Sequence, residues 1–463
     1  MKAVKLLLGV AFLGACVVGA SAQNPSQPTL ASPELSDYYY LTQAEPSEDV
    51  PADAPLPPEI AEEEPFYGGG CQEECGGCSA KGGLLCGCPT DKPWTLPQPC
   101  FLKQRGITMG GWLQQGITFN EHSPPSGFNA TVGTNDWDSE YQMNQLWMYF
   151  VRPVQRGHGL DIGGRVDMIY GTDWRFGINQ GLEDRINSLG NSYGLVIPQA
   201  YVEIALNRWS VKLGHFAGIL DYEAVPAVAN PFYSHSLCYA FTVPQLVTGV
   251  LADYQASDRL SFQGGVHRGW MKFEDNNDRM DVMAGFKLNS SDKRTSLAYA
   301  ISSGPQDAAG DNDRFVHSLV LQRQVTDRLK YILVQNLGSE NNSGPQGQDA
   351  EWYGINQYFL YAINPCWSAN LRFEWLRDDD GVIVHGPPAA AGIRAWPGEG
   401  YAGDFYEVTA GLSWRPSANL VVRPECRWDW YDGQASSGAL ALPFNDGASD
   451  SQFTFGVDAI LTY

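Results

Sequence analysis

The chain has 463 residues, which is enough for several ordinary domains or for one large β-barrel. Charged residues make up only 18%, whereas Gly (50), Tyr (22), Phe (20) and Trp (14) are abundant. This composition favours strands and turns over helix bundles. The net charge of -22 argues against a nucleic-acid-binding surface, which needs a basic face.

The first residues of the chain have the pattern of an export signal. Lys2 and Lys5 precede an apolar run over residues 6–18, and Ala20-Ser21-Ala22 forms a cleavage site. Residues 1–22 are therefore predicted to be a signal peptide. A lipoprotein site at Cys16 is the alternative, although its apolar run would be short. No later segment approaches the ~20 apolar residues of a spanning helix, so strands must make any membrane crossing.

Two segments of different composition follow the signal. Residues 23–70 are rich in Pro, Glu, Asp and Ser and predict a disordered linker. Residues 71–100 form a cysteine-rich segment that contains Cys71, Cys75, Cys78, Cys86, Cys88 and Cys100. An exported chain folds in an oxidising compartment, so disulfides are favoured over a metal site, with the pairing left open. Neither a metal nor a cofactor is predicted.

Residues 101–463 alternate between strands and turns over their whole length. We expect sixteen strands, near 106–119, 142–154, 160–173, 197–207, 209–219, 242–255, 260–273, 278–289, 294–304, 313–325, 329–338, 351–363, 367–377, 404–415, 419–431 and 451–463. Short connections alternate with long polar ones. Only the connection at 274–277 is a weaker candidate for a long loop, because few residues separate its strands. This layout predicts an all-β fold, a transmembrane antiparallel β-barrel of about 16 strands.

The two faces of the strands differ in charge. In the strand from Trp367, one face is apolar while the other carries Arg372 and Glu374. Because Arg near the midplane of the lipid face costs ~2–4 kcal/mol, the charged face must point inward, which predicts a polar lumen. The candidate pore-lining residues are Arg165, Asp167, Glu203, Arg372, Glu374, Arg423, Glu425, Arg427 and Asp429. The alternative is that each of these side chains only pairs across strands.

Aromatic residues recur on the apolar face at a regular spacing. Trp367 and Trp375 lie eight residues apart, as do Tyr406 and Trp414 on the next strand. Eight tilted residues span roughly 20 Å, close to the height of an apolar band between two aromatic girdles. These four residues are therefore predicted to form parts of two girdles.

The long connection at 220–241 is the third one in the chain and carries Asp221 and Glu223. In sixteen-stranded general porins the third loop folds into the pore and narrows it. By analogy this connection is a candidate constriction loop, and an exposed surface loop is the alternative.

The last strand ends on the aromatic residue Tyr463, as bacterial outer-membrane barrels characteristically do. Several segments resemble the putative β-barrel porin-2, or OmpL-like, family: residues 111–118, 166–173, 222–223, 230–234 and 423–429. The resemblance is spread over most of 106–463 and does not cover the tail. It implies an exported barrel porin, and the terminal aromatic implies recognition by the barrel-assembly machinery.

These observations predict a porin of the cell outer membrane, with its N-terminal tail in the periplasm. Small hydrophilic solutes or ions would diffuse passively through a water-filled barrel, because sixteen strands leave room for a channel. The rival is an envelope-anchoring or adhesive surface barrel that uses the acidic, cysteine-rich tail as a tether. The expected partners are outer-membrane lipid and further copies of the chain in a homotrimer, with no nucleic acid. The scattered histidines match no catalytic motif, so no enzyme is predicted.

Overall fold

The computed structural model describes residues 93–157, 159–188, 191–384, 400–435 and 442–463. The predicted signal peptide, the linker and the cysteines from Cys71 to Cys88 lie outside the described residues. Cys100 is exposed and is not bonded to another described cysteine. Among the described residues, no helix is both long and apolar enough to cross a membrane.

Sixteen antiparallel strands form one closed barrel, in which each strand pairs with its neighbours in sequence and the last strand pairs with the first. The strands are β1 (Thr108–Asn120), β2 (Tyr141–Arg152), β3 (Leu160–Gly171), β4 (Gly194–Leu206), β5 (Trp209–Ala217), β6 (Leu246–Ser257), β7 (Leu260–His267), β8 (Asp281–Asn289), β9 (Thr295–Pro305), β10 (Asp313–Gln324), β11 (Leu329–Glu340), β12 (Ala350–Asn364), β13 (Trp367–Asp378), β14 (Tyr401–Ser417), β15 (Leu420–Ala435) and β16 (Ser451–Thr462). The predicted fold class is confirmed.

Three strand boundaries differ from the prediction by four residues or more, and one of them is the end of β15, at Ala435 rather than at residue 431. β6 begins at Leu246 rather than at residue 242, because residues 237–242 form a short helix. β7 ends at His267 rather than at residue 273. Gly269 and Met271 adopt positive φ angles of 105° and 52°, which end the extended backbone and open a long connection. The connection between β7 and β8, which the sequence only weakly predicted to be a long loop, therefore is a long loop over residues 268–280.

The apolar and charged faces of the strands lie as their sequence alternation predicts. On β13, Arg372 and Glu374 are buried inside the barrel, while Phe373 is exposed on the outside. The aromatic residues pair across β13 and β14 at both ends: Trp367 lies opposite Trp414, and Trp375 lies opposite Tyr406. The rings of Trp367 and Trp414 stack with 5.7 Å between their centroids.

The described residues contain four short α-helices, one before β1 and three between strands: α1 (Cys100–Lys103), α2 (Trp174–Gly177), α3 (Glu183–Ile186) and α4 (Leu237–Thr242). The segment over residues 218–245, which joins β5 to β6 and contains α4, is called the inner loop below. Nearly all of its residues from 227 to 243 are buried. Such burial is unusual for a connecting segment and indicates that it packs inside the barrel.

The interior of the barrel also contains apolar clusters, which the sequence analysis did not predict. Phe232 of the inner loop packs with Val320, Ile332, Val334 and Tyr358 from the inward faces of β10, β11 and β12. A second interior cluster contains Trp112 and Trp147, whose rings stack at 4.4 Å and are fully buried. Inward apolar side chains are stable here because the inner loop covers part of the wall and removes that surface from water.

Candidate functional site

The inner loop reaches two walls of the barrel that face each other. Gln145 on β2 donates to the carbonyl of Val225 at 2.8 Å and accepts from the N–H of Ala227 at 3.1 Å. Ser318 on β10 accepts from the N–H of Asp221 at 3.0 Å. β2 and β10 lie eight strands apart in a ring of sixteen, so they occupy opposite sides. The inner loop therefore crosses the full width of the lumen.

Glu223 is the centre of the polar contacts of the inner loop. Its carboxylate forms an ion pair with Arg372 of β13 at 2.9 Å and accepts from the hydroxyl of Tyr358 of β12 at 2.7 Å. Within the loop it also contacts Nδ1 of His235 at 2.8 Å. Burial alone would raise the pKa of Glu223, but the charge of Arg372 and the contact with His235 lower it to about 2. The carboxylate is therefore charged and tied to the wall.

Two inward carboxylates bind the main chain of the inner loop. Glu374 of β13 accepts from the N–H groups of Leu237 and Cys238 at 2.7 and 2.6 Å. Glu425 of β15 accepts from the N–H groups of Tyr233 and Ser234 at 2.8 and 3.0 Å. Hydrogen bonds to a charged group are stronger than neutral ones. These two side chains clamp consecutive parts of the loop against the wall.

The inward arginines of β15 bind carbonyl groups of the same loop. Arg423 donates to the carbonyl of Asn230 at 2.5 Å and pairs with Asp458 of β16 at 2.5 Å. Arg427 donates to the carbonyl of His235 at 2.6 Å and pairs with Asp429 at 2.7 Å. Each arginine thus satisfies its charge with a carboxylate and uses a remaining donor to position the loop.

All nine candidate pore-lining residues lie on the inward face and are buried. The structure brings Arg372, Glu374, Arg423, Glu425 and Arg427 together around the inner loop, and Asp429 pairs with Arg427. The other three lie on β3 and β4, where Arg165 pairs with Asp167 at 2.7 Å and Glu203 lies opposite Lys212 of β5. Their role as pore-lining residues stays a prediction.

Sequence reasoning missed the neutral anchors of the inner loop, which include Gln145, Ser318 and Tyr358. It also missed Asn336 of β11, which donates to the carboxylate of Asp221 at 2.6 Å. Burial raises the pKa of Asp221 to about 6. The sequence of the loop itself indicates that it is buried, because residues 224–243 are mostly apolar or aromatic, unlike the other long connections. A loop of this composition buries its side chains.

A small cavity lies where the inner loop meets the first two long loops, at 121–140 and 172–193. Its volume is about 20 Å³, which holds about one water molecule, and it is lined by Gly133, Thr134, Asp173, Phe176, Gly177, Val225, His235, Tyr239, Ala240 and Gln245. Asp173 accepts from the side-chain amides of Asn144 and Gln145 at 2.9 and 2.8 Å. Burial raises the pKa of Asp173 to about 6 although both hydrogen bonds lower it.

Comparisons with known proteins agree with this architecture. The family described as "Putative beta-barrel porin-2, OmpL-like" matches residues 106–463. No curated protein matches the sequence. The outer membrane channel DcaP of Acinetobacter baumannii is 12% identical, with a TM-score of 0.51 over 77% of this chain and 97% of that chain. The anion-selective porin from Comamonas acidovorans is 10% identical, with a TM-score of 0.52 over 77% and 99%. At these identities the likeness to the solved structures shows the fold alone.

Proposed function

The chain belongs to the putative beta-barrel porin-2, OmpL-like family and is an outer-membrane channel, and we propose that ions and small polar solutes diffuse passively past its inner loop. The observation that carries this proposal is the path of the inner loop across the lumen, from Gln145 on one wall to Ser318 on the other. A segment held in that position limits what can pass. The family indicates a channel rather than an enzyme.

The inner loop acts as the constriction, with Asp221 and Glu223 near its first end. Glu223 fixes the loop to β12 and β13, and Asp221 fixes it to β10 and β11. The cavity beside the loop holds about one water molecule, so the inner loop packs closely against the first two long loops there. Larger solutes need a displacement of the loop. The wild-type conductance is therefore expected to be small.

Reconstitution of the purified full-length protein in a planar bilayer tests this function. Stepwise conductance is expected from the wild type, and deletion of residues 224–234 is expected to raise the conductance of each step. If a correctly folded barrel shows no conductance, the channel function is refuted and the alternative, an envelope-anchoring protein, is favoured. An unchanged step in the deletion variant would place the constriction elsewhere.

The N-terminal tail is proposed to lie in the periplasm. Trp94 lies next to the short connection between β14 and β15, where its N–H donates to Asn419 at 2.6 Å and its ring contacts Tyr463. Short connections of outer-membrane barrels face the periplasm. The start and the end of the barrel therefore share that side, where the C-terminal aromatic residue would be available to the barrel-assembly machinery.

A homotrimer is proposed from the uneven height of the wall. β5, β7 and β8 contain 9, 8 and 9 residues, whereas β12, β14 and β15 contain 15, 17 and 16. At a tilt of about 40° the short strands span roughly 20–23 Å, less than the ~25 Å of an apolar band. Val250, Val266 and Val282 are exposed on the outside of this part of the wall. Contact with another copy of the chain would cover this part of the wall, from β5 to β8, which is called the low side below.

A further inference from the structure

Negative charge predominates among the buried side chains that the structure describes. Sixteen buried Asp and Glu side chains compare with six buried cations, namely Arg165, Arg175, Lys272, Arg372, Arg423 and Arg427. An enclosed space with one predominant sign of charge attracts ions of the opposite sign. Only charges that are not already paired with an opposite charge act at full strength on a passing ion.

The buried arginines are already neutralised by neighbouring carboxylates. The guanidinium of Arg175 binds both oxygens of Asp136, at 2.8 and 2.7 Å. Arg372 is held between Glu223 and Glu407, each at 2.9 Å. Arg165, Arg423 and Arg427 have their own aspartate partners, as described above. An anion entering the lumen would have to displace an existing carboxylate to bind any of these arginines.

Asp173 differs from the neutralised carboxylates in its partners and its position. It is only 4% exposed, and its carboxylate accepts hydrogen bonds from the neutral side-chain amides of Asn144 and Gln145. No Lys, Arg or His in the described part of the chain lies within ion-pair distance of it. It also lines the cavity between the three loops, together with Thr134 and His235. Asp173 therefore presents a negative charge that has no ion-pair partner among the described residues, at the edge of the constriction.

We propose that the channel is cation-selective and that Asp173 is a residue that sets this preference. The proposal rests on the channel function above and names the class of solute, small cations. At ~5 Å in water, one unit charge changes the relative population of a monovalent ion by roughly fourfold. Cations are attracted to Asp173 and pass, whereas its charge repels anions.

The reversal potential across a planar bilayer in a KCl gradient tests the proposal on the full-length protein. The wild type is expected to favour K⁺ over Cl⁻. Asp173→Asn keeps the shape of the side chain and is expected to lower the K⁺/Cl⁻ permeability ratio by roughly 16-fold, because the charge acts about fourfold on each ion and in opposite directions. Asp173→Glu is expected to keep the preference. Asp327→Asn is the matched control, because Asp327 lies in the short turn between β10 and β11 with its side chain 74% exposed. That control is expected to keep the wild-type ratio.

The outcomes separate this inference from the channel function. Stepwise conductance with an anion preference, or with none, overturns cation selectivity and leaves the channel standing. A cation preference that Asp173→Asn does not reduce overturns the role of Asp173. The complete absence of conductance refutes the channel itself. If Asp173→Asn does not fold, the sign of the wild-type reversal potential still tests the selectivity.

Discussion

Replacing the two carboxylates that clamp the inner loop should open the channel. In the double variant Glu374→Gln/Glu425→Gln, each side chain keeps its shape but exchanges one acceptor oxygen for an NH₂ group, which cannot accept a hydrogen bond. In the wild type, each glutamate accepts hydrogen bonds from two consecutive main-chain N–H groups, at distances of 2.6 to 3.0 Å. The variant leaves one buried N–H without its acceptor at each clamp.

The size of the effect follows from these contacts. A hydrogen bond to a charged group contributes about 1.5–3 kcal/mol, so the loss of two weakens the docking of the loop by roughly 3–6 kcal/mol. This is a change of about 10²–10⁴ in the equilibrium between docked and displaced loop. Arg372, Arg423 and Arg427 keep their ion pairs with other carboxylates, so the barrel wall itself should persist.

Single-channel conductance in planar bilayers is the assay, with heat-modifiable migration on gels as the check that the barrel has folded. The double variant is expected to show larger steps or frequent transitions to a larger step. Glu140→Gln/Glu351→Gln makes the same change of charge at two exposed positions and should behave as the wild type. A folded double variant with wild-type steps would refute the reasoning, because a weakened loop would then have no influence on passage.

Two further predictions concern pH and assembly. Burial raises the pKa of Asp173 to about 6, so its charge is present above that pH and is lost as the pH falls through it. The K⁺/Cl⁻ ratio should therefore fall between pH 7 and pH 5, and less so in Asp173→Asn. His235, Arg175, Asp136 and Tyr233 are the other titratable groups nearby, so an equal fall in both proteins would contradict this role for Asp173. For assembly, Val266→Arg on the low side of the wall should yield monomers by native mass spectrometry, whereas Val408→Arg on β14 should leave trimers. A monomeric wild type, or equal effects of the two arginines, would argue against the proposed interface.

The sequence by itself determined the barrel. Inside and outside alternate with a period of two along a strand, so one arginine such as Arg372 is enough to orient every residue of β13. The spacing from Trp367 to Trp375 likewise predicts the height of the apolar band, since the rise per residue is nearly constant. These features are local, and local patterns can be read without knowledge of distant contacts.

Only the tertiary structure revealed how the inside of the barrel is filled. Ser236 caps α4 by accepting from the N–H of Tyr239, and Glu374, more than a hundred residues away, accepts the first N–H groups of that helix. Phe232 makes part of the inward wall apolar, although the same strands also carry polar residues. Asp173 lines the cavity only because three loops meet there. Such contacts join residues far apart in the chain, and no local period of the sequence encodes which of them will meet.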